Sequence, residues 1–487
     1  MKPLLKAMNR RSFLTRASLA TATTAWSARS WSQVASANED VRVAVVGFGG
    51  RGKDHLGGLG KVPGVRITGL CDVDEKILNN EVQKRPGAKA FADIRKMLES
   101  KDVDVVSIAT PNHWHALGAI WAIQAGKDVY LEKPVSHNVW EGRQIVHAAR
   151  KYGKMVQTGT QSRSSFAIRE AVEWCRKGSL GKILVARGLC YKPRRSIGKV
   201  DGPQPIPAGI DYDLWCGPAL KLPLTRKQLH YDWHWDFNTG NGDLGNQGIH
   251  QMDIARWFLG EMELSPRVMS VGGRVGYVDD GNTPNTQIVF HDYKKAPLIF
   301  EVRGLPKSKA FQTDKEWSAN MDKYLGGSVA VIVHCEGGNI LIPNYHSAVA
   351  VDTEGKEVKR WQGSDDHYAN FVKAVRSRKH TDLNADILEG HLSSALCHTG
   401  NISYQLGAQT SPEDTLERIS AEKDLQESYG RMVEHLSANG VVTSKDRLKL
   451  GPMLRMNGKT ERFRGNEAAN QLLTRPYRAP YIVPAKV

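Results

Sequence analysis

The pattern of hydrophobic and polar positions changes near residue 155. Before it, short apolar runs rich in β-branched residues alternate with segments of helical periodicity. The predicted strands cover 41–46, 65–70, 103–109 and 128–131, and the predicted helices cover 74–83, 93–100 and 115–125. Continuous apolar runs of this length are typical of strands buried on both faces of a parallel sheet. The first third of the chain is therefore predicted to form a doubly wound α/β domain.

Beyond residue 155, β-rich runs follow one another with few helices between them. These runs cover 183–191, 268–278, 285–290, 298–302 and 329–335. Strands joined in this way pair mostly antiparallel, so we expect a second α/β domain with an open, mostly antiparallel sheet. Further helices are predicted over 366–376, 386–406 and 412–437, and a tail rich in Pro, Arg and Tyr follows.

A glycine-rich loop, Gly47-Phe48-Gly49-Gly50-Arg51-Gly52, comes directly after the first predicted strand. It fits the pattern G-x-G-x-x-G, in which glycines allow a tight turn and let a pyrophosphate approach a helix N-terminus. The loop residues expected to bind a dinucleotide are Gly47, Gly49, Gly50, Arg51 and Gly52.

Asp72 ends the second predicted strand, 20 residues beyond Gly52. A carboxylate in this place accepts hydrogen bonds from ribose hydroxyls. Asp74 adds a second negative charge that would repel a 2′-phosphate, and no Arg or Lys follows immediately. The sequence therefore favours NAD over NADP.

Two further loops follow strands of the first domain. Ligands of doubly wound sheets bind beyond the carboxyl ends of the strands, so both loops should face the cofactor. Their candidate residues are Thr110, Pro111, Asn112, His115, Glu132 and Lys133.

Several of these motifs together resemble the Gfo/Idh/MocA oxidoreductases. They are the glycine loop, Thr110-Pro111 with His115, Glu132-Lys133-Pro134, and the segments 177–182 and 248–253. The resemblance implies a Rossmann domain over 38–160 and a substrate and oligomerisation domain over 161–365. It further implies helices of 366–408 that return to the first domain, nicotinamide chemistry on sugars or cyclitols, and homo-dimers or homo-tetramers. An extension would occupy 409–487.

The resemblance also assigns catalytic roles. Oxidation of a secondary alcohol needs a base that accepts the hydroxyl proton and a donor that stabilises the developing alkoxide. The resemblance implies that Lys133 and His250 fill these two roles. The related enzymes carry Asp four residues before the histidine, where this chain has Asn246. An amide can orient an imidazole but cannot balance its cation, and Asp243 is a candidate to compensate.

Substrate candidates come from the second domain. They are Arg163, Tyr191, Trp233 and His234, and Lys192 and Arg195 lie in the same segments as these. The aromatic cluster at 231–236, with Trp215, could stack on a sugar ring or form an edge of the core, and the sequence leaves both open. His113-Trp114-His115 lacks a third ligand at the usual spacing, so no metal is expected. The six cysteines are far apart and no disulfide is predicted.

The N-terminus carries Asn9-Arg10-Arg11-Ser12-Phe13-Leu14, a short mild apolar run and an Ala-x-Ala ending at residue 37. This resembles a twin-arginine signal peptide over 1–37, which implies the twin-arginine translocase as a partner and the periplasm as the destination. No later segment is apolar for long enough to span a bilayer.

The formal net charge is +16, but residues 1–37 hold six basic residues and no acid. Because the others are scattered, no nucleic-acid partner is expected.

Export changes the expected mechanism, because a cofactor that dissociated in the periplasm could not be replaced. NAD should therefore stay bound, and the first hypothesis is an NAD-dependent oxidoreductase acting on a sugar, sugar derivative or cyclitol. The alternative is an NAD-dependent glycoside hydrolase that works by transient oxidation, elimination, water addition and re-reduction. A non-catalytic carbohydrate-binding scaffold is the third.

Overall fold

A computed structural model describes residues 40–313, 315–445 and 448–487 of the chain. The predicted signal peptide at 1–37 lies outside the described residues. Apolar clusters form the cores of two α/β units, and elements from the C-terminal third of the chain pack on both.

The first unit contains a six-stranded parallel sheet in the order β3-β2-β1-β4-β5-β6. Its strands are β1 (Val41–Val46), β2 (Val65–Cys71), β3 (Lys89–Phe91), β4 (Val105–Ile108), β5 (Asp128–Leu131) and β6 (Val156–Thr158). Its helices are α1 (Gly52–Leu59), α2 (Glu75–Gln83), α3 (Ile94–Leu98), α4 (Asn112–Gln124) and α5 (Val139–Tyr152). Every residue of β4 and β5 is buried because helices cover both faces. The predicted Rossmann fold is confirmed, since the strand order reverses beside β1.

The second unit is built on a mixed sheet of twelve strands. The main path runs β14-β13-β12-β11-β7-β10-β9-β8-β16-β15, β17 pairs with β8, and β18 pairs with β17. The strands are β7 (Ile183–Tyr191), β8 (Arg267–Gly273), β9 (Thr286–His291), β10 (Leu298–Arg303), β11 (Val329–Cys335), β12 (Gly338–Asn344), β13 (Ser347–Val351), β14 (Glu357–Gln362), β15 (Ala408–Gln409), β16 (Lys449–Leu450), β17 (Leu454–Asn457) and β18 (Arg462–Phe463). The pairing of β7 with β10 is parallel and the other pairs are antiparallel, which confirms the predicted second domain.

Helices pack on the inner face of this sheet and join it to the first unit. The remaining helices are α6 (Phe166–Arg176), α7 (Tyr212–Cys216), α8 (Ile249–Leu259), α9 (His367–Ser377), α10 (Ile387–Gln405), α11 (Pro412–Arg418), α12 (Lys423–Ala438) and α13 (Glu467–Gln471). Helix α10 contacts α5 of the first unit as well as α8 and β8 of the second. Helix α9 buries Phe371 and Val372 in one cluster with β1. These two helices therefore fix how the units meet.

The C-terminal extension is part of the second unit. Its short strands β15 to β18 join the sheet, and α12 covers the outer face of β7 to β10. The apolar side chains of α12 in that contact are Leu425, Tyr429, Met432 and Leu436. The chain itself thus covers the β7 to β10 part of this face.

Within the described ranges, no helix is long and apolar enough to cross a membrane. The same residues contain no group of His, Cys, Asp and Glu arranged to hold a metal ion.

Candidate active site

A cavity of about 510 Å³ lies at the carboxyl ends of the parallel strands, between the two units. Its volume is within the range that cofactor and substrate pockets occupy. The predicted cofactor residues that line it are Gly47, Gly49, Gly50, Arg51, Asp72, Thr110, Pro111, Asn112, His115, Glu132 and Lys133. Gly52 does not line it, because it begins α1 behind the loop.

The glycine loop has no room for side chains at two of its positions. A Cβ on Gly52 would lie 2.0 Å from the carbonyl oxygen of Gly47. Gly47 itself has φ +75°, and a Cβ there would lie 2.9 Å from the Cα of Thr110. Only glycine allows this close turn, which opens the N-terminus of α1 toward the cavity.

Asp72 is positioned by the backbone on both sides of it. The N–H of Phe48 donates to Oδ2 at 3.0 Å and the N–H of Asp74 donates to Oδ1 at 3.1 Å. Each oxygen keeps a lone pair for a ribose hydroxyl. Burial raises the pKa of this carboxyl, while the two backbone N–H groups oppose that change.

Thr110 Oγ1, also at the cavity, is buried without a hydrogen-bond partner. The glycine turn, Asp72 and this unpartnered hydroxyl fit an NAD molecule.

Glu132 is the acid at the centre of the cavity floor. Its Oε1 accepts from Arg51 Nε at 3.1 Å and lies 3.1 Å from His55 Nε2, while its Oε2 accepts from the N–H of Lys133 at 3.0 Å. Burial alone would raise the pKa of Glu132, but the bond with His55 and the charges of Lys133 and Arg51 hold that pKa well below its usual value. His55 is not among the residues predicted from the sequence, because no local motif marks it.

Lys133 points from this floor toward the second unit. Its Nζ donates to the backbone oxygen of Asn246 at 2.7 Å. Burial lowers the pKa of Lys133, and the nearby charge of Glu132 partly opposes that shift. A lysine with a lowered pKa can exchange a proton with a substrate hydroxyl.

His250 lies beside the cavity but is not one of its lining residues. Its ring packs 4.8 Å from that of Tyr345, and its Nδ1 is buried without a hydrogen-bond partner. Burial, reinforced by the charge of Lys133, lowers the pKa of His250 to about 3, so the ring stays neutral near pH 7. A neutral imidazole with a free nitrogen can still exchange a hydrogen bond with a bound molecule.

The expected pairing of Asn246 with His250 is not formed. Asn246 lies in a π-helical turn, Leu244–Gly248, that precedes α8. The prediction counted four residues along an α-helix, whereas a π turn is wider and shifts side chains around the axis. Asn246 lines the cavity next to Lys133, and His250 has no amide on its Nδ1.

Asp243 cannot compensate as expected, because another residue already holds it. Arg194 donates to both carboxylate oxygens, from Nε at 2.8 Å to Oδ2 and from Nη2 at 2.6 Å to Oδ1. Both side chains are buried, and Asp243 does not line the cavity.

Two predicted substrate residues also lie elsewhere. Arg163 forms a buried ion pair with Asp253, at 2.8 Å from Nε to Oδ2, and a second one with Glu389. Tyr191 donates to Glu301 Oε2 at 2.7 Å on the sheet face that α12 covers. Successive residues of a strand face opposite ways, so it is the next residue, Lys192, that lines the cavity.

Trp233 and His234 do line the cavity, with their rings stacked 3.6 Å apart. They belong to a segment over 206–235, here named the lid, which also supplies Leu214, Trp215, His230 and Tyr231 to the wall. The aromatic cluster is therefore part of the cavity rather than only a core edge.

The lid is tied to the first unit beside Asp72. The N–H of Glu75 donates to Gly209 O at 3.0 Å, and His230 Nε2 lies 2.9 Å from Asp74 Oδ2. The lid therefore closes over the end of the cavity where the adenosine ribose would bind.

The C-terminal tail holds the lid from outside. Arg478 donates from Nη1 to Asp213 Oδ1 at 2.9 Å and from Nε to Ala219 O at 3.2 Å. Tyr481 packs against Trp114 of α4 at 5.6 Å. The tail thus bridges the lid and the first unit, and we name it the strap (residues 475–483).

Comparison with known proteins identifies this arrangement. Residues 41–160 match the Gfo/Idh/MocA profile described as an oxidoreductase family with an NAD-binding Rossmann fold, and residues 177–308 match the C-terminal alpha/beta domain of the same family. The chain belongs to the Gfo/Idh/MocA oxidoreductase family. It is an NAD-dependent enzyme of this type.

Three similar proteins show how far the similarity extends along the chain. Inositol 2-dehydrogenase of Rhodococcus erythropolis is 31% identical over 378 residues, which cover 76% of this chain and 95% of that protein. An alpha-N-acetylgalactosaminidase of Shewanella oneidensis is 30% identical over 163 residues, 31% of this chain and 35% of its own length. The WlbA dehydrogenase from Bordetella pertussis, solved in complex with NADH and UDP-GlcNAcA, superposes with a TM-score of 0.54 at 18% identity over 74% of this chain and 93% of that one. The last match shows a common fold.

Proposed function

We propose that the protein oxidises a secondary hydroxyl of a sugar, sugar derivative or cyclitol with an NAD molecule that stays bound. The observation that carries this proposal is Lys133, held between the cofactor loops and the second unit with a lowered pKa. Similarity to inositol 2-dehydrogenase over most of the chain supports a polyhydroxylated substrate.

Different residues of the chain have separate roles in such a reaction. Bound NAD supplies the hydride acceptor. Lys133 takes the hydroxyl proton at Nζ. Neutral His250 lies beside the cavity, and the family resemblance assigns it to the same hydroxyl. Trp233 and His234 offer a stacked aromatic wall to the apolar face of a sugar ring and exclude water there.

Retention of NAD is supported by the lid and the strap. A dinucleotide in the cavity would lie under Trp215, His230 and Tyr231, and these move only if the ties to Asp74 and Arg478 open. A cofactor that leaves slowly must be reduced and reoxidised in place, which favours turnover in which each hydride taken is later returned.

The test begins with the cofactor content of purified protein, measured by mass spectrometry after release. Free sugars and cyclitols are then screened under single-turnover conditions by absorbance at the NADH band. We expect bound NAD that at least one of these compounds reduces, and Asp72→Ala should lose most of it. Bound NAD that none reduces would contradict the proposed reaction.

An NAD-dependent glycoside hydrolase remains the second candidate, because the chain is similar to an alpha-N-acetylgalactosaminidase over about a third of its length. The same screen separates the two when glycosides are added and released aglycone is measured. Release without net NADH would favour the hydrolase. Sugar binding without either signal would favour a scaffold.

We also propose that the protein is exported to the periplasm by the twin-arginine translocase and that it forms homo-dimers or homo-tetramers. The motif at Arg10-Arg11 supports the first proposal. For the second, α12 covers the outer face of β7 to β10, whereas β12 to β14 keep exposed or half-buried side chains.

A further inference from the structure

Lys192 brings a second ammonium group to the cavity. It follows β7 directly, and its backbone N–H donates to the carbonyl oxygen of Arg303 at 3.1 Å, which fixes its place beside β10. Its side chain lines the cavity, and Nζ donates to Gln247 Oε1 at 3.1 Å.

Gln247 holds that ammonium from one side. Its Nε2 donates to Tyr345 Oη at 2.9 Å and reaches Gln251 Oε1 at 3.3 Å, so its amide oxygen is left for Lys192. These partners are all neutral. The network therefore positions the charge of Lys192 without neutralising it.

The cavity has more cations than acids at this end. Among the residues that the structure describes, neither Lys192 nor Lys133 forms an ion pair, and each donates to a neutral oxygen instead. The acids that line the cavity are Asp72, which lies at the ribose end, and Glu132, which Arg51 and His55 already engage. The charge of Lys192 also helps to lower the pKa of Lys133.

An anion on a bound molecule would balance this excess. Two cations facing one partly enclosed space repel each other, and an oxyanion bound by Lys192 offsets that repulsion through a charge-assisted hydrogen bond. The oxidised nicotinamide adds a further positive charge, which increases the need for such a group.

We propose that the substrate is an acidic sugar or cyclitol and that Lys192 recognises its oxyanion, either a carboxylate or a phosphate ester. This inference rests on the proposed function and makes Lys192 a specificity-determining residue. Lys133 remains the group that meets the hydroxyl. Gln247 is a positioning residue that acts through Lys192.

The test compares matched pairs of substrates on the NAD-loaded enzyme. The pairs are glucose with glucuronate, galactose with galacturonate, glucose with glucose 6-phosphate, and myo-inositol with inositol 1-phosphate. We expect one acid to reduce the bound NAD in a single turnover with a second-order rate constant at least about tenfold above that of its neutral partner, as one charge-assisted hydrogen bond provides. A comparison of the carboxylate pairs with the phosphate pairs shows which oxyanion the enzyme recognises.

Variants at Lys192 then locate the effect. Lys192→Met should remove the preference, mainly by weakening substrate binding and not by lowering the maximal single-turnover rate, with NAD content unchanged. Lys192→Arg should keep most of the preference. Lys177→Met, which changes an exposed lysine outside the cavity, is the matched control. Binding of each compound is also read from the fluorescence of the reduced, NADH-loaded protein.

Two results would overturn the inference and leave the proposed function standing. The first is that neutral sugars are oxidised as efficiently as the corresponding acids. The second is that Lys192→Met loses its bound NAD, which would make Lys192 a cofactor ligand. Acids that bind through Lys192 but never reduce the bound NAD would instead overturn the proposed reaction and leave this inference in place.

Discussion

Two neighbours, Asn246 and Glu132, help to set the position and the pKa of Lys133. The carbonyl oxygen of Asn246 fixes its Nζ, and burial lowers its pKa while Glu132 limits that change. A proton acceptor is most effective when its pKa lies near the working pH, so this shift moves Lys133 in the useful direction.

Replacing Lys133 by Arg should separate charge from proton transfer. Arginine keeps the positive charge but does not lose its proton, so oxidation should slow by about 10² to 10⁴. The parent rate should rise with pH as Lys133 deprotonates, with an apparent pKa below that of an ordinary lysine. Single-turnover rates between pH 6 and 10 check this, with NAD content as the control. A parental pH profile in Lys133→Arg would exclude Lys133 as the base.

At the same scale, burial decides which predicted residues reach the cavity. Arg163 and Asp243 have the right chemistry for a site, but each forms a buried ion pair. Sequence patterns give residue types and spacing. They do not show that Arg194 pairs with Asp243, 49 positions away, or that Arg163 pairs with Asp253, 90 positions away.

At the scale of elements, the π turn before α8 sets the geometry of the catalytic end. An α-helical turn would place Asn246 under His250, whereas the wider turn sends it to the cavity and gives its carbonyl oxygen to Lys133. Local π turns are common at functional sites, and they leave little trace in hydrophobic periodicity.

The strap should control how fast NAD leaves. Arg478→Ala removes the bonds to Asp213 and Ala219, and we expect NAD to dissociate about tenfold faster, since a hydrogen bond to a charged group contributes about 1.5 to 3 kcal/mol. Dissociation is followed by chasing labelled NAD from the loaded protein with an excess of unlabelled NAD.

Arg462→Ala is the matched control, because Arg462 lies in the same extension and its ion pair with exposed Glu467 is long, at 3.8 Å. It should leave the dissociation rate unchanged. Equal rates in the parent and in a folded Arg478→Ala protein would show that the strap does not hold the lid.

At the scale of the molecule, Glu461 joins three parts of the chain. It accepts from Arg143 of α5 at 2.6 Å and lies 2.8 Å from His391 of α10, while it belongs itself to the extension. Burial opposes its charge, but the bonds with His391 and Arg143 lower the pKa of Glu461 to about 2.

That pKa predicts how acid destabilises the protein. Because the folded pKa is below the unfolded value of about 4.3, the contribution of Glu461 is present above that value and is lost as the pH falls toward 2. Glu461→Gln should lower the free energy of unfolding at pH 7 by about 1.5 to 3 kcal/mol and weaken its dependence on acid. Urea unfolding at several pH values tests this, with exposed Glu467→Gln as the control. Equal losses in both variants would refute the role of Glu461.

Export is a property of the whole chain and has its own test. Replacing Arg10 and Arg11 together by Lys should leave full-length protein in the cytoplasm, because the translocase recognises the guanidinium pair. Cell fractionation measures the outcome. Normal periplasmic yield from the double variant would contradict the proposed route.

The sequence by itself determined the parts of this protein that depend on local pattern. Continuous apolar runs specify strands buried on both faces, and Gly47 and Gly52 stand where a Cβ would collide with the backbone. The Rossmann domain, the NAD loop and the positions of Asp72 and Lys133 follow from such short-range requirements. The antiparallel character of the second sheet follows from strands joined without intervening helices.

Only the tertiary structure decided which side chains meet. It placed Lys192 rather than Tyr191 at the cavity, because the pleat of β7 turns neighbouring residues to opposite faces. It also brought the lid and the strap to the cofactor site from distant parts of the chain, and it paired His55 with Glu132, 77 positions away. Those contacts depend on packing between elements, which the order of residues along the chain does not display.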